Sequence, residues 1–240
     1  MSWNNEMRPA PAANRAGGYI QAGVGPVVET NKVLRNTYML LSMTLLFSAL
    51  MAGVSMAVGA PYGVSLICSL VSMGLLWFVV PRTANSEAGI WVVFLVTGLL
   101  GFGLGPIINR YLGAANGGQI VMMALGMTGA IFVGLSAYAV KTKRDFSFMR
   151  GFLAGGMVLM LVLMVGLLIA SLMGYYFQPL ALGLSAMVAL LMCGMILYQT
   201  GEIVNGGETN YVLATVTLYV SIYNLFTSLL HLLGFASSDE

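Results

Sequence analysis

Seven stretches of the chain are each apolar enough to enter a bilayer and long enough to cross one, since a hydrocarbon core of about 30 Å requires roughly 20 helical residues. They lie near Thr37–Gly59, Tyr62–Val80, Ala88–Ile108, Gly118–Val140, Gly151–Met173, Leu180–Thr200 and Tyr211–Gly234. Backbone groups in lipid must bond within their own segment, which favours helices for such spans. Only 8% of the residues are charged and 59% are hydrophobic, which excludes a soluble domain. The sequence therefore predicts an all-α polytopic membrane protein with seven transmembrane helices.

The last stretch carries its polar side chains on one face. Steps of four, three, four and three positions keep them on one side of an α-helix: Thr217, Ser221, Asn224, Ser228 and His231. This polar stripe is roughly 21 Å long at 1.5 Å per residue. Because unpaired polar groups are costly in lipid, we expect this helix inside the bundle. The stripe has two interpretations, hydrogen bonding between helices or an ion or proton path, and its lack of a carboxylate favours the first.

Residues 1–36 differ from the rest of the chain in composition. They contain seven Gly and Pro residues, the last of them Pro26, and show no helical periodicity. We therefore predict a disordered N-terminal tail over residues 1–36. A seven-helix transmembrane domain then covers residues 37–235, and residues 236–240 form a short C-terminal tail.

Lys and Arg residues set the predicted orientation, because cytoplasmic segments carry an excess of them. Nine of the ten fall on one side when the spans alternate across the membrane: Arg8, Arg15, Lys32, Arg35, Arg82, Lys141, Lys143, Arg144 and Arg150. Arg110 falls on the other side. The N-terminus is therefore predicted to be cytoplasmic, and an odd number of spans places the C-terminus on the outer side.

Small residues recur at a spacing that lets helices approach closely. Gly101 and Gly105 are four positions apart, and Gly126, Ala130 and Gly134 repeat the same step. This pattern predicts tight helix packing along both segments.

The two cysteines and the net charge limit the chemistry. Cys68 and Cys193 lie in separate apolar spans without metal-ligand spacing, so we interpret them as packing residues. The net charge of +2 gives no reason to expect nucleic acid. We predict no metal site and no cofactor.

Four segments together resemble a known family. They are NKVLRNTYMLLSMTLLFSA at residues 31–49, GFGLGPIINRY at 101–111, ALGMTGAIF at 124–132 and ILYQTGEIVNGGETNYVLATVTLYVSIYNLF at 196–226. The chain resembles the Bax inhibitor (transmembrane Bax inhibitor motif) family, and is most similar to its bacterial YccA branch. The resemblance implies six helices around a central C-terminal helix, which agrees with the polar stripe.

Several members of this family resemble calcium leak channels with a pair of aspartates in the sixth and seventh spans. Two carboxylates in contact would share a proton and respond to pH. The corresponding positions here are Gln199 and Ser221, neither of which is acidic. An ion or proton leak is therefore the alternative function, with Glu202 and Glu208 as candidate acids at the cytoplasmic mouth. Both are expected to be loop residues. Gln199, Ser221 and Asn224 are expected to hydrogen-bond across the two helices.

The bacterial branch implies another role. Its members resemble proteins that bind the membrane AAA protease FtsH, together with its associated membrane proteins, in the inner membrane. The expected function is restraint of this protease by a slow substrate that is gripped through its cytoplasmic N-terminal tail. Besides FtsH and its companions, the lipid bilayer is the expected partner. The C-terminal tail would be periplasmic, and no enzymatic activity is expected.

One pair of residues allows an enzymatic alternative. Ser185 and His231 both lie near the outer ends of their spans, so their depths match, as a Ser–His nucleophile pair would require. No oxyanion partner is evident, and a histidine at a helix end is more often a hydrogen-bonded interfacial residue. We therefore predict a structural role for the pair.

Overall fold

The seven predicted spans are seven helices in the computed structural model, which describes residues 25–114, 116–175 and 177–237. They are α1 (Gly25–Ala57), α2 (Gly63–Thr83), α3 (Ala88–Leu112), α4 (Gly117–Thr142), α5 (Met149–Leu172), α6 (Gln178–Val204) and α7 (Tyr211–Ala236). Each helix is long and apolar enough to cross a membrane. The prediction of an all-α, seven-helix membrane protein is confirmed.

Helix α1 begins earlier than the sequence analysis placed it. It starts at Gly25 and runs for 33 residues, so the predicted boundary of the tail at residue 36 is wrong. The composition that suggested disorder ends at Pro26, and proline is tolerated at the start of a helix. Residues 1–24 of the predicted tail lie outside the described residues. At about 50 Å, α1 is roughly 20 Å longer than a hydrocarbon core, so one end of it stands in the headgroup region.

Helix α2 contains a π-helical turn near its C-terminal end. Residues Leu75–Val79 form a π-helical turn, in which the N–H of Val80 donates to the carbonyl of Leu75 five positions back. Pro81 follows and has no N–H to continue the α-helical ladder. The end of the helix is completed by a side chain, because Thr83 Oγ1 donates to the carbonyl of Val79 at 2.9 Å. A π turn of this kind lets the helix pass a proline without leaving the span.

Helix α7 is the most enclosed of the seven. Two thirds of its most apolar window (67%) is buried, against 11% for α5. Helices α1, α3, α4 and α6 pack directly against it, while α2 packs mainly on α3 and α5 on α6. The predicted central position of the C-terminal helix is confirmed, with α2 and α5 standing in the outer part of the bundle.

Glycines on α3 allow close contact with α1. A Cβ added to Gly101 would lie 2.6 Å from Ser48 Oγ, and one added to Gly105 would lie 2.6 Å from Ser55 Cβ. The predicted tight packing is therefore present at these two residues. It is wrong for α4, because a Cβ added to Gly126 or Gly134 meets nothing within 4 Å. Glycines with the same four-residue spacing thus face a neighbouring helix on α3 and open space on α4.

The start of α7 is fixed to the α2–α3 loop by one residue. The Asn210 side-chain oxygen accepts from the N–H groups of Val212 and Leu213 at 2.9 and 3.2 Å, which caps the helix. Its Nδ2 donates to the carbonyl of Ala84 at 3.1 Å and to Asn85 Oδ1 at 2.8 Å. Asn210 therefore pairs two N–H groups at the start of α7 that have no acceptor within the helix. It also sets the depth of α7 against its neighbours.

Candidate functional site

The polar stripe of α7 lies in the interior of the bundle. Its members are buried or half-buried: Thr217, Ser221, Asn224, Ser228 and His231. Ser221 Oγ donates to the carbonyl of Thr217 at 2.8 Å, and Asn224 Nδ2 donates to the carbonyl of Val220 at 2.9 Å. Both donors therefore bond to the preceding turn of their own helix, a habit of short polar side chains in helices. The predicted hydrogen bonds from Ser221 and Asn224 to a neighbouring helix are wrong.

The two positions that correspond to acidic residues in the resemblance, Gln199 and Ser221, are both buried. Neither side chain can ionise in the physiological range, and Ser221 directs its hydroxyl to its own helix. This part of the interior therefore holds no pair of groups that could share a proton.

Ser185 and His231 meet as their matched depths suggested. Ser185 Oγ lies 2.7 Å from His231 Nδ1 and 3.0 Å from the carbonyl oxygen of Ala181. A serine hydroxyl has one proton, and the carbonyl can only accept. When the proton goes to Ala181, His231 donates through Nδ1–H and the serine oxygen is an acceptor. The contact between the two side chains ties α6 to α7.

A second polar cluster joins α7 to two other helices, and the sequence analysis missed it. Tyr219 is only 1% exposed, and its hydroxyl lies 2.6 Å from Ser48 Oγ on α1 and 3.2 Å from the carbonyl of Thr97 on α3. Because the carbonyl can only accept, the phenol donates a hydrogen bond to the carbonyl of Thr97 and accepts one from the hydroxyl of Ser48. The available signal was the phenolic hydroxyl itself, which needs a partner when buried in a span.

This second cluster lies on the opposite face of α7 from the polar stripe. At 100° per residue, Tyr219 and Thr215 each lie two residues, or about 160°, from Thr217 around the helix axis, in opposite directions. Thr215 Oγ1 lies 2.7 Å from the carbonyl of Tyr211 and 3.3 Å from the carbonyl of Thr37 on α1. Helix α7 therefore uses one face to hold α1 and α3 and the stripe face, through His231, to hold α6.

The two candidate acids at the predicted cytoplasmic mouth lie near the α6–α7 connection. Helix α6 continues to Val204, so Glu202 belongs to its last turn, and the prediction of a loop residue is wrong for Glu202. Glu208 is in the connection, where its Oε1 accepts the N–H of Asn210 at 2.8 Å. Both side chains are half-buried. Their role at a mouth stays a prediction.

The described residues contain no group of three His, Cys, Asp or Glu side chains that could hold a metal ion. Cys68 and Cys193 are free thiols. The side-chain contacts described above are hydrogen bonds between helices, and they position α7.

Comparison with known proteins identifies the family from the whole bundle. Residues 30–238 match the family model described as Inhibitor of apoptosis-promoting Bax1. The chain belongs to the Bax inhibitor family. This match runs from the first turns of α1 to the end of α7, so every helix described above is part of the family fold.

Similar proteins occur in several bacteria. One from Escherichia coli K12, named "Modulator of FtsH protease YccA", is 47% identical over 89% of this chain and 94% of its own length. A protein from E. coli O6:H1 with the same identity and coverage is named "Inner membrane protein YccA". A membrane protein of Vibrio cholerae is 44% identical over 89% of this chain and 93% of its own length. These names and the seven apolar helices support a multi-pass protein of the bacterial inner membrane, and none of the names indicates an enzymatic activity.

Proposed function

We propose that this protein binds the FtsH protease in the bacterial inner membrane and restrains it, acting as a slowly processed substrate. The observation that carries the proposal is the 47% identity, over nearly the whole chain, to the E. coli protein named as a modulator of that protease. Inhibition by competition needs no catalytic residue in the restraining protein, and the described interior holds hydrogen-bonded structural pairs instead.

The proposed handle is the N-terminal segment before α1. An AAA protease pulls a substrate by a cytoplasmic end, and nine of the ten Lys and Arg residues support a cytoplasmic N-terminus. The segment is residues 1–24, which lie outside the described residues, and α1 follows it directly. A pull on this segment would act first on α1.

Helix α1 is well placed to resist such a pull. It packs on α3 through Gly101 and Gly105, where no space remains for even a methyl group. It also packs on the enclosed α7 and donates to that helix from Ser48. Extraction of α1 therefore has to break the contacts of the central helix at the same time. This supports slow processing, which would keep the protease occupied.

The test is deletion of residues 1–24, followed by turnover in cells that contain FtsH. We expect degradation and restraint of the protease to be lost while the purified bundle keeps its unfolding temperature. Deletion of residues 237–240 is the matched control, because these residues lie on the predicted periplasmic side and should leave turnover unchanged. Undiminished turnover after the N-terminal deletion would refute the grip. Absence of FtsH among proteins captured with the tagged chain from native membranes would refute the partner.

The ion-leak alternative has no comparable support. Gln199 and Ser221 are uncharged, and the polar side chains of Ser221 and Asn224 bond within α7. Calcium or proton flux through proteoliposomes that contain the purified protein, above that of empty vesicles, would reverse this preference.

A further inference from the structure

Three positive charges lie within four residues where α4 ends and the loop to α5 begins. They are Lys141, Lys143 and Arg144, which we call the basic corner, and all three are exposed. Lys141 lies about 140° around α4 from the buried Ser136 and about 160° from the buried Ala139, so it points away from the bundle. Helix α4 has 26 residues and is about 39 Å long, against about 30 Å for a hydrocarbon core. Lys141, in its last turn, therefore reaches the headgroup region.

The loop that carries Lys143 and Arg144 is held against the end of the bundle. Only six residues join α4 to α5. Phe146, in the middle of the loop, is buried, and a Cβ added to Gly201 of α6 would lie 2.7 Å from its ring. The Arg144 carbonyl accepts from Asn205 Nδ2 at 3.0 Å, just beyond the end of α6. A short loop that is anchored in this way cannot rise far from the membrane surface, so its charges stay at the level of the lipid headgroups.

The carboxylates near the basic corner do not cancel its charge. Asp145 is the one acidic residue of the loop, and its Oδ1 accepts the N–H two residues further on at 2.8 Å. Glu202 and Arg150 both lie close enough to Tyr198 to act on it electrostatically, so their opposite charges offset each other. Glu208 is directed to the start of α7. Within the described part of the chain, the three cations of the corner form no ion pair with a carboxylate.

Two exposed phenyl rings stand beside the basic corner. Phe148 immediately precedes α5 and is 79% exposed, and Phe152, one turn further, is 73% exposed. They lie about 140° and 100° around α5 from the buried Leu153, so both point away from the bundle. Apolar rings at the end of a span are favoured at the boundary between headgroups and acyl chains. Cations at headgroup level next to apolar rings match the two parts of a phospholipid, an anionic head and an apolar chain.

We propose that the basic corner binds the headgroups of anionic phospholipids, with Phe148 and Phe152 among their acyl chains. A polybasic segment next to a transmembrane helix attracts such lipids. A soluble acidic protein fits less well, because the short anchored loop holds no cation above the headgroup layer. The site does not depend on FtsH or on the orientation of the chain, since the ends of α4 and α5 that meet here face one leaflet in either orientation.

The test measures which lipid surrounds Phe148. The full chain carries Phe148→Trp as its single tryptophan, the native ones being replaced by Phe, in nanodiscs of phosphatidylethanolamine and phosphatidylglycerol without protease. Bromines high on the acyl chains of one lipid or the other quench the tryptophan, and the two quenching levels give the local share of each lipid. We expect about fivefold enrichment of phosphatidylglycerol over its bulk share. Leu172→Trp, at a 78% exposed position at the other end of α5, is the matched reporter and should show none.

The charges are tested with the same reporter. Replacement of all three cations of the basic corner by Gln should lower the enrichment to about one. The control variant loses the same number of exposed charges on the same side of the bundle and should keep the fivefold value; it carries Lys32→Gln, Arg35→Gln and Arg82→Gln. Unfolding temperatures establish that both variants are folded.

Three results would overturn the proposal. The site is wrong if Phe148→Trp shows no enrichment, or if the corner variant and the control variant lose it equally. It is also wrong if the enrichment with the intact corner does not fall between about 0.05 and about 0.5 M salt, because exposed charges are screened. The choice of occupant is wrong if a photoreactive amino acid at Phe148 traps a protein rather than lipid in native membranes.

Discussion

Replacement of Gly101 by Ala should loosen the contact that holds α1 in the bundle. The new Cβ would meet the backbone carbonyl oxygen of Ser48 on α1, besides its hydroxyl at 2.6 Å. Ordinary contacts between carbon and a carbonyl oxygen are about 3.3–3.6 Å. The two helices would therefore have to separate by roughly 1 Å, since backbone atoms cannot rotate out of the way as a side chain can.

The expected magnitude follows from two opposing effects. Overpacking of this kind costs about 1–3 kcal/mol, and the better helix propensity of Ala returns up to about 1 kcal/mol. The net loss should be about 1–2 kcal/mol, or a fall of about 2–8 °C in unfolding temperature for a chain of this size. In cells, the variant should be degraded faster by the protease, because α1 is held less firmly.

The measurement uses the protein's own thiols. A fluorogenic maleimide reports unfolding as Cys68, which is buried, becomes accessible. Gly126→Ala is the matched control, because it makes the same chemical change in the middle of α4, where a Cβ meets open space. It should be neutral or slightly stabilising. The reasoning is refuted if Gly101→Ala is as stable as Gly126→Ala, or if it is less stable and yet degraded no faster.

Three further variants or measurements probe single contacts. Tyr219→Phe removes two hydrogen bonds between helices and should cost about 1 kcal/mol, measured by unfolding in mixed micelles; an unchanged midpoint would contradict the cluster. Ser185→Ala should cost about 0.5–1 kcal/mol through the lost contact with His231 and leave restraint of the protease unchanged, whereas labelling of Ser185 by a fluorophosphonate would show a nucleophile. The N–H of Ser147 donates to Asp145 Oδ1 at 2.8 Å and lowers the pKa of that carboxyl. The loop therefore gains stability above the ordinary aspartate pKa and loses it as the pH falls through the lowered value, which an NMR titration of Asp145 should show; a normal pKa would contradict the contact.

The helices were predictable because hydropathy along the chain shows directly which stretches are apolar and long enough to cross a membrane. Their ends were less so. The Gly- and Pro-rich composition ends at Pro26, but the predicted tail included the ten following residues, which contain no helix breaker. The start of α1 at Gly25 was missed for this reason. The contact between Ser185 and His231 could be predicted. Ser185 lies near the first end of α6 and His231 near the last end of α7, and two consecutive antiparallel helices bring these ends to the same depth. Depth in the membrane follows from residue number once the spans are known.

Which face meets which neighbour was not predictable from spacing. Gly101 and Gly126 have the same pattern of small residues around them, yet only Gly101 faces another helix. Polar character also misled, because Ser221 could satisfy its hydroxyl within α7 and needed no partner helix. The sequence analysis gave Tyr219 no role, although its hydroxyl makes the bonds that join three helices. These choices depend on the rotation of each helix, which the sequence of one helix does not contain.

The central helix is also the last to be synthesised, and this constrains assembly on the ribosome. Helix α1 ends at Ala57 and α7 at Ala236. At about 5–20 residues per second, roughly 10–40 s separate their completion. During that interval, Ser48 on α1 and the Thr97 carbonyl on α3 have no Tyr219 to bond, and the four helices that pack against α7 lack this shared partner. A chain whose synthesis stops before α7 therefore lacks the hydrogen bonds that join α1 and α3 through Tyr219.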